Sequence, residues 1–189
     1  MPGNEPLALL RVPVTEQDHI QGLPSARVTL VEYGDYECPH CGRAHPIVQE
    51  VQKQLGRQLR FVFRNFPLAQ AHAHAQHAAE AAEAAAAQGR FWEMHDTLYE
   101  HQGALDDAHL VKYARLVGLD DRRVTDALAS HEFAARVRHD FIGGVRSGVN
   151  GTPTFFINGV RFDDSWDVVT LVNALRDATE AGMATRSPG

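Results

Sequence analysis

Cysteine is nearly absent: the 189 residues hold two, Cys38 and Cys41. Two thiols fall short of the roughly four ligands a structural zinc site needs. A disulfide between positions this close would close too short a loop to constrain much of the unfolded chain, so stabilisation is a poor reason for the pair. A c-type haem attachment needs histidine after the second cysteine, and Gly42 stands there. No apolar run reaches the length of about 18 residues that a membrane-spanning helix needs. Lys and Arg form no long patch and the net charge is −6, which argues against nucleic acid as a partner. No fixed-period repeat occurs, so the chain is not a solenoid. The opening Met1-Pro2-Gly3-Asn4-Glu5-Pro6 lacks the basic residues of a secretory signal, and Leu7-Ala8-Leu9-Leu10 is too short for its apolar core. The expectation is a cytoplasmic protein with no membrane partner, or a periplasmic or otherwise extracytoplasmic one if an export signal precedes Met1. Stable disulfides belong mainly to oxidising compartments, so the cytoplasmic reading points to reductive, isomerising or stress-related work.

What is present is organised around Cys38-Pro39-His40-Cys41. Val28 to Tyr33 is rich in β-branched and aliphatic residues and reads as a buried strand. Ile47, Val48, Val51 and Leu55 recur at helical spacing, so a helix follows the cysteines and stops at Gly56. Cys38 therefore falls at a helix N-terminus, where unpaired N–H groups and the helix dipole favour a thiolate. Pro39 suits the first position of that helix. Cys38, nearer the helix start, is expected to attack, and Cys41, one turn further in, to resolve the mixed disulfide. The expected aid from His40 is an imidazolium or ring N–H beside the Cys38 thiolate. Glu37, by contrast, would raise that thiol's pKa, and Asp35 reads as a loop residue.

Leu59 to Phe63 is a second strand, parallel to the first through the intervening helix. Helical patterning then runs from Leu68 to about Ser147, with five segments; the first, Ala71 to Gln88, is rich in alanine. Thr154 to Ile157 and Val160 to Phe162 flank Asn158-Gly159, a strong hairpin signal. A last helix buries Val168, Val169, Leu171, Val172 and Leu175, with Ser165 as its expected N-cap. The domain reading is an irregular arm over 1–25, a sheet-bearing domain over 26–67 and 148–180, a helical insertion over 68–147, and a flexible tail over 181–189.

Cys38-Pro39-His40-Cys41, followed far downstream by Gly151-Thr152-Pro153-Thr154-Phe155, resembles the DsbA-like branch of the thioredoxin superfamily. The resemblance covers about Arg27 to Ala178. It implies an α/β, thioredoxin-like fold (β-α-β … β-β-α) with an inserted helical domain. It also implies thiol-disulfide exchange with cysteine-containing proteins or peptides through Cys38, Cys41 and their disulfide, with no organic cofactor or metal. A recycling thiol/disulfide partner or glutathione would restore the starting state. By the same resemblance Glu32 would move a proton for Cys41, Pro153 would be cis opposite the cysteines, and Thr152 would tune the pair and contact substrate. His72, His74, His77, His95, His101 and His109 suggest no complete metal site. Two other readings stay open: a glutathione-dependent transferase or isomerase of the same fold, and a non-catalytic redox-sensing or peptide-binding module.

Overall fold

A computed structural model of the chain describes residues 8–184. Its centre is β2 (Val28–Gly34), buried at every position because neighbouring layers cover both of its faces. β3 (Leu59–Asn65) pairs with it in parallel, Val28 opposite Leu59 and Gly34 opposite Asn65, and α1 (Pro39–Leu55) makes the crossover. On its other edge β2 pairs antiparallel with β4 (Thr154–Ile157), which turns back into β5 (Val160–Phe162). At that turn Asn158 and Gly159 have φ of 47° and 84°, the left-handed pair that Asn-Gly adopts with little strain.

The sheet order is β1-β3-β2-β4-β5, and β1 (His19–Gln21) lies in the segment expected to be irregular. It pairs antiparallel with β3, and Leu9 bridges to Val160 at the opposite edge. A three-residue edge strand has no readable period, and the anchor that holds it is remote in sequence. Arg64 on β3 uses all five guanidinium N–H donors there. It donates to both Asp18 carboxylate oxygens, to the carbonyls of Val12 and Pro13, and to the Tyr33 hydroxyl. A buried charge so fully paired fixes the arm across the sheet.

Between β3 and β4 come five helices: α2 (Ala75–Ala86), α3 (Phe91–Glu100), α4 (Asp107–Leu116), α5 (Asp121–Ser130) and α6 (Ala134–Arg146). α2 starts four residues later than its alanine pattern suggests. His72 and His74 are drawn instead into pairs with Asp35 and Glu37 beside the cysteines. α7 (Val168–Ala184) closes the described chain. Asp167, not Ser165, caps it: its carboxylate accepts from the Thr170 N–H and also from the Ser165 hydroxyl. The helix thus runs four residues into the segment expected to be a flexible tail, and 185–189, like 1–7, lie outside the described residues.

Side chains alternate across a strand, and here the alternation places the site. Val28 and Leu30 join the larger core, which also holds Cys38, Cys41, Val48, Val51, Phe63 and Leu171. Val31 and Tyr33 join the smaller core on the opposite face, with Val62, Phe66 and Phe156. Glu32 shares parity with Leu30, so its carboxyl enters the larger core, on the face that carries the cysteines. Gly34 ends the strand where no side chain fits: an added Cβ would stand 2.5 Å from a Phe63 ring carbon and 2.7 Å from the Tyr99 hydroxyl. Both neighbours are rigid rings, so Gly34→Ala is expected to lower the unfolding free energy by about 1–3 kcal/mol. Chemical denaturation reads this directly, and an unchanged midpoint would contradict the packing described.

Candidate active site

The turn from β2 into α1 is built by side chains that satisfy its backbone. Asp35 is buried; its carboxylate accepts from the N–H of Glu37 (2.8 Å), the N–H of Leu68 (2.9 Å) and His72 Nδ1 (2.7 Å). Gln102, in the turn after α3, donates its amide to the carbonyls of Tyr36 (2.8 Å) and Cys38 (2.9 Å). Gly42 leaves the space for it, since a Cβ there would meet the Gln102 side-chain oxygen at 1.9 Å. The turn is thereby clamped from the loop after β3 and from the helical segment together.

Cys38 is the N-cap residue of α1 and Pro39 its first helical residue, where the missing N–H leaves nothing unpaired. Cys38 and Cys41 are free thiols, 4% and 0% exposed. The Cys38 pKa is lowered to about 5. The largest cause is the hydrogen bond from the Cys41 thiol; burial opposes it, and Thr152 and the N–H groups of Cys41 and His40 add to it. In the thiol form Cys38 donates to the Thr152 carbonyl at 3.4 Å, and among the described residues the buried Thr152 hydroxyl has no hydrogen-bond partner. Ionisation turns Sγ from donor to acceptor, and that hydroxyl is placed to donate to it. The Thr152–Pro153 peptide bond is cis.

Cys41 goes the other way. Burial first, then the thiol of Cys38 and the charge of Glu32, push its pKa well above the ordinary thiol value. Its sulfur accepts a long contact, 3.5 Å, from the Asp35 N–H. Glu32 is 2% exposed, its Oε1 has no hydrogen-bond partner among the described residues, and burial followed by the Cys38 charge raises its pKa to about 8. The site thus holds one thiol that ionises readily, one that resists ionisation, and a carboxyl that keeps its proton at neutral pH.

His40 does not supply the expected ring contact. It is exposed, and its Nδ1 lies 2.7 Å from Arg43 Nη2, so its contribution to the Cys38 thiolate comes from its backbone N–H. Glu37 is engaged by His74 at Nδ1 (2.8 Å) and by its N–H (2.6 Å); these bonds outweigh burial and lower its pKa. Asp35, His72 and Gln102 were not legible as site residues. Each acts through a contact 33 or more positions away, and no local motif marks it. If Cys38 ionises as described, its alkylation by a neutral reagent rises with a midpoint near pH 5. A midpoint near the free-cysteine value of about 8.5 would contradict that environment.

The thioredoxin family model matches residues 14–177. The chain belongs to the thioredoxin family. Its fold is that of the DsbA-like members. BdbD from Bacillus subtilis superimposes with a TM-score of 0.79 at 23% identity, over 85% of this chain and 92% of that one. A thioredoxin-like oxidoreductase from Silicibacter pomeroyi DSS-3 gives 0.76 at 28% identity, over 92% and 95%. A stretch of the Na(+)/H(+) antiporter NhaA 1 of Salinispora arenicola is 47% identical over 170 residues, 89% of this chain but 26% of that protein. This thioredoxin-family chain therefore spans about a quarter of the length of such curated relatives, and antiport is named for those longer proteins. Among the described residues no helix is long and apolar enough to cross a membrane.

Proposed function

We propose that this chain is a thiol-disulfide oxidoreductase that works in the oxidising direction on cysteine-containing polypeptides. The observation that carries the reading is the asymmetry of the pair: Cys38 with its pKa lowered to about 5, Cys41 buried with its pKa raised, and Glu32 behind them. A low-pKa thiol is the better leaving group, and stabilising its thiolate stabilises the reduced form, which makes the disulfide the stronger oxidant.

The cycle starts from a Cys38–Cys41 disulfide. A substrate thiolate attacks Cys38 Sγ, the bond to Cys41 breaks, and Cys41 leaves as a buried thiolate that takes the Glu32 proton. A second substrate thiolate then attacks the substrate sulfur of the mixed disulfide, and Cys38 leaves as a thiolate. The substrate gains one disulfide and the protein holds both electrons, until a recycling disulfide partner or oxidised glutathione removes them. Pro153 offers no N–H, and the Thr152 backbone beside it would pair with an extended substrate segment. No organic cofactor or metal enters this exchange. The antiporter relatives carry a similar module within a longer chain; the redox role is assigned to the module alone.

Oxidised protein mixed with an equal amount of a peptide dithiol should convert about one peptide per protein to the disulfide, and should turn over when oxidised glutathione is added. Cys38→Ala should abolish both. Full activity in Cys38→Ala would remove the proposal, since no other thiol route is offered.

A further inference from the structure

A second cluster of chemistry-bearing side chains lies one helical turn beyond Cys41, between α1 and α3. His45 on α1 and His95 and Asp96 on α3 each offer one donor atom, and among the described residues these atoms lie within 4.8 Å of one another. They line a cavity of about 290 Å³ together with Gln21, Gln49 and Gln52. We propose that His45, His95 and Asp96 form a binding site for a divalent transition-metal ion of the zinc type, joining the cysteine-bearing helix to α3.

Three geometric observations carry it. His45 Nε2 and Asp96 Oδ1 are 3.4 Å apart. Two ligands at zinc bond lengths on adjacent tetrahedral vertices stand about 3.3 Å apart. The His45 and His95 ring centroids are 5.3 Å apart with their planes at 65°, and two imidazoles sharing one tetrahedral zinc place their centroids about 5 Å apart. His95 Nδ1 stands 3.0 Å from the Tyr36 hydroxyl. A ring that donates through Nδ1 leaves Nε2 unprotonated, the arrangement in which a neighbouring group fixes the tautomer of a ligating histidine.

The side-chain amide nitrogen of Gln49 stands 3.2 Å from His45 Nε2, the atom that faces Asp96, and an ion bound there would take its place. Burial lowers the His45 pKa to about 4, and burial together with His45 lowers that of His95 well below the ordinary value. At neutral pH both rings are uncharged lone-pair donors. The half-exposed Asp96 gives an ion a way in from solvent. The histidines weighed against a metal in the sequence did not include His45, whose partners lie fifty positions away in the chain. Tyr36 sits two residues before Cys38, so an ion on His95 would be one hydrogen bond from the active-site turn.

The test uses the full chain with Cys38 and Cys41 oxidised to their disulfide, so that neither thiol can ligate. Calorimetric titration with zinc chloride should give one ion per chain, and cobalt(II) should show tetrahedral visible absorption. His45→Gln and the milder Asp96→Asn should each weaken binding at least about tenfold, and Tyr36→Phe by about tenfold through the lost orienting contact. Zinc should raise the melting temperature of the oxidised wild-type protein and leave that of Asp96→Asn unmoved. His77→Gln, at the separate His77–Asp107 pair, should bind as wild type does. Absence of one-to-one binding, or binding that survives both His45→Gln and Asp96→Asn, would overturn the proposal.

Discussion

Cys41→Ala protein, given a peptide disulfide, should accumulate a covalent adduct through Cys38 that persists at least about a thousandfold longer than in the wild type. The reason is the loss of an intramolecular attack. In the wild type, Cys41 is held one helical turn from Cys38, and such fixed placement gives effective concentrations that free thiols in solution do not reach. With Cys41 absent, only external thiols resolve the mixed disulfide. The substitution has a second effect. The Cys41 thiol is the largest single contributor to the low Cys38 pKa, so that pKa rises from about 5. It stays below the ordinary thiol value, because Thr152 and the helix N–H groups remain. The adduct therefore forms more slowly at pH 5 than wild-type chemistry would suggest, and faster as pH rises. Mass spectrometry of non-reduced protein reads both features. Rapid loss of the adduct without added thiol would show that Cys41 is not the resolving group.

Glu32→Gln should slow the exchange at neutral pH by about a hundredfold, a typical contribution of one positioned proton donor or acceptor. When the Cys38–Cys41 bond breaks, the charge lands on Cys41, whose thiolate is disfavoured by burial. Glu32, with a pKa of about 8, is mostly protonated at pH 7 and can neutralise it. Glutamine has the same shape and cannot give up a proton. In the reverse direction the same carboxyl must be ionised to take the Cys41 proton, so the resolving rate in wild type rises through pH 8 and that rise disappears in Glu32→Gln. The sign for stability is opposite to that of an ordinary carboxylate. The folded pKa lies above the unfolded one, so Glu32 contributes most at low pH, and this contribution is lost as pH rises from about 4.5 through about 8. Glu32→Gln is therefore expected to be more stable than wild type above pH 8. Denaturation at pH 5 and pH 9 checks this, and equal stability differences at the two would contradict it.

These effects depend on a placement that is partly legible in the sequence. The parallel pair β2 and β3, the hairpin at Asn158-Gly159 and the run of helices between them follow from period and turn chemistry, which are local. Glu32 was conspicuous because it interrupts an apolar strand, and alternation alone puts it on one face with Leu30. Which face holds Cys38 and Cys41 is a tertiary fact. β1 was not legible, since His19-Ile20-Gln21 carries no pattern and its position depends on Arg64 and Asp18. The His40 ring shows the same limit: it stands two positions after Cys38 in sequence, yet it faces Arg43 one helical turn on. Gln102 and His72 reach the turn from distant segments, and only the fold brings them there.

The central claim is that the Cys38 environment makes the disulfide an oxidant. At pH 7 a thiol with a pKa of about 5 favours the reduced form about a hundredfold over an unperturbed one, roughly 60 mV for a two-electron couple. The measurement is the equilibrium of the Cys38–Cys41 pair in graded mixtures of reduced and oxidised glutathione at pH 7. The account predicts a potential less negative than about −200 mV. A value at or below about −270 mV, where the pair would serve as a reductant, would contradict it.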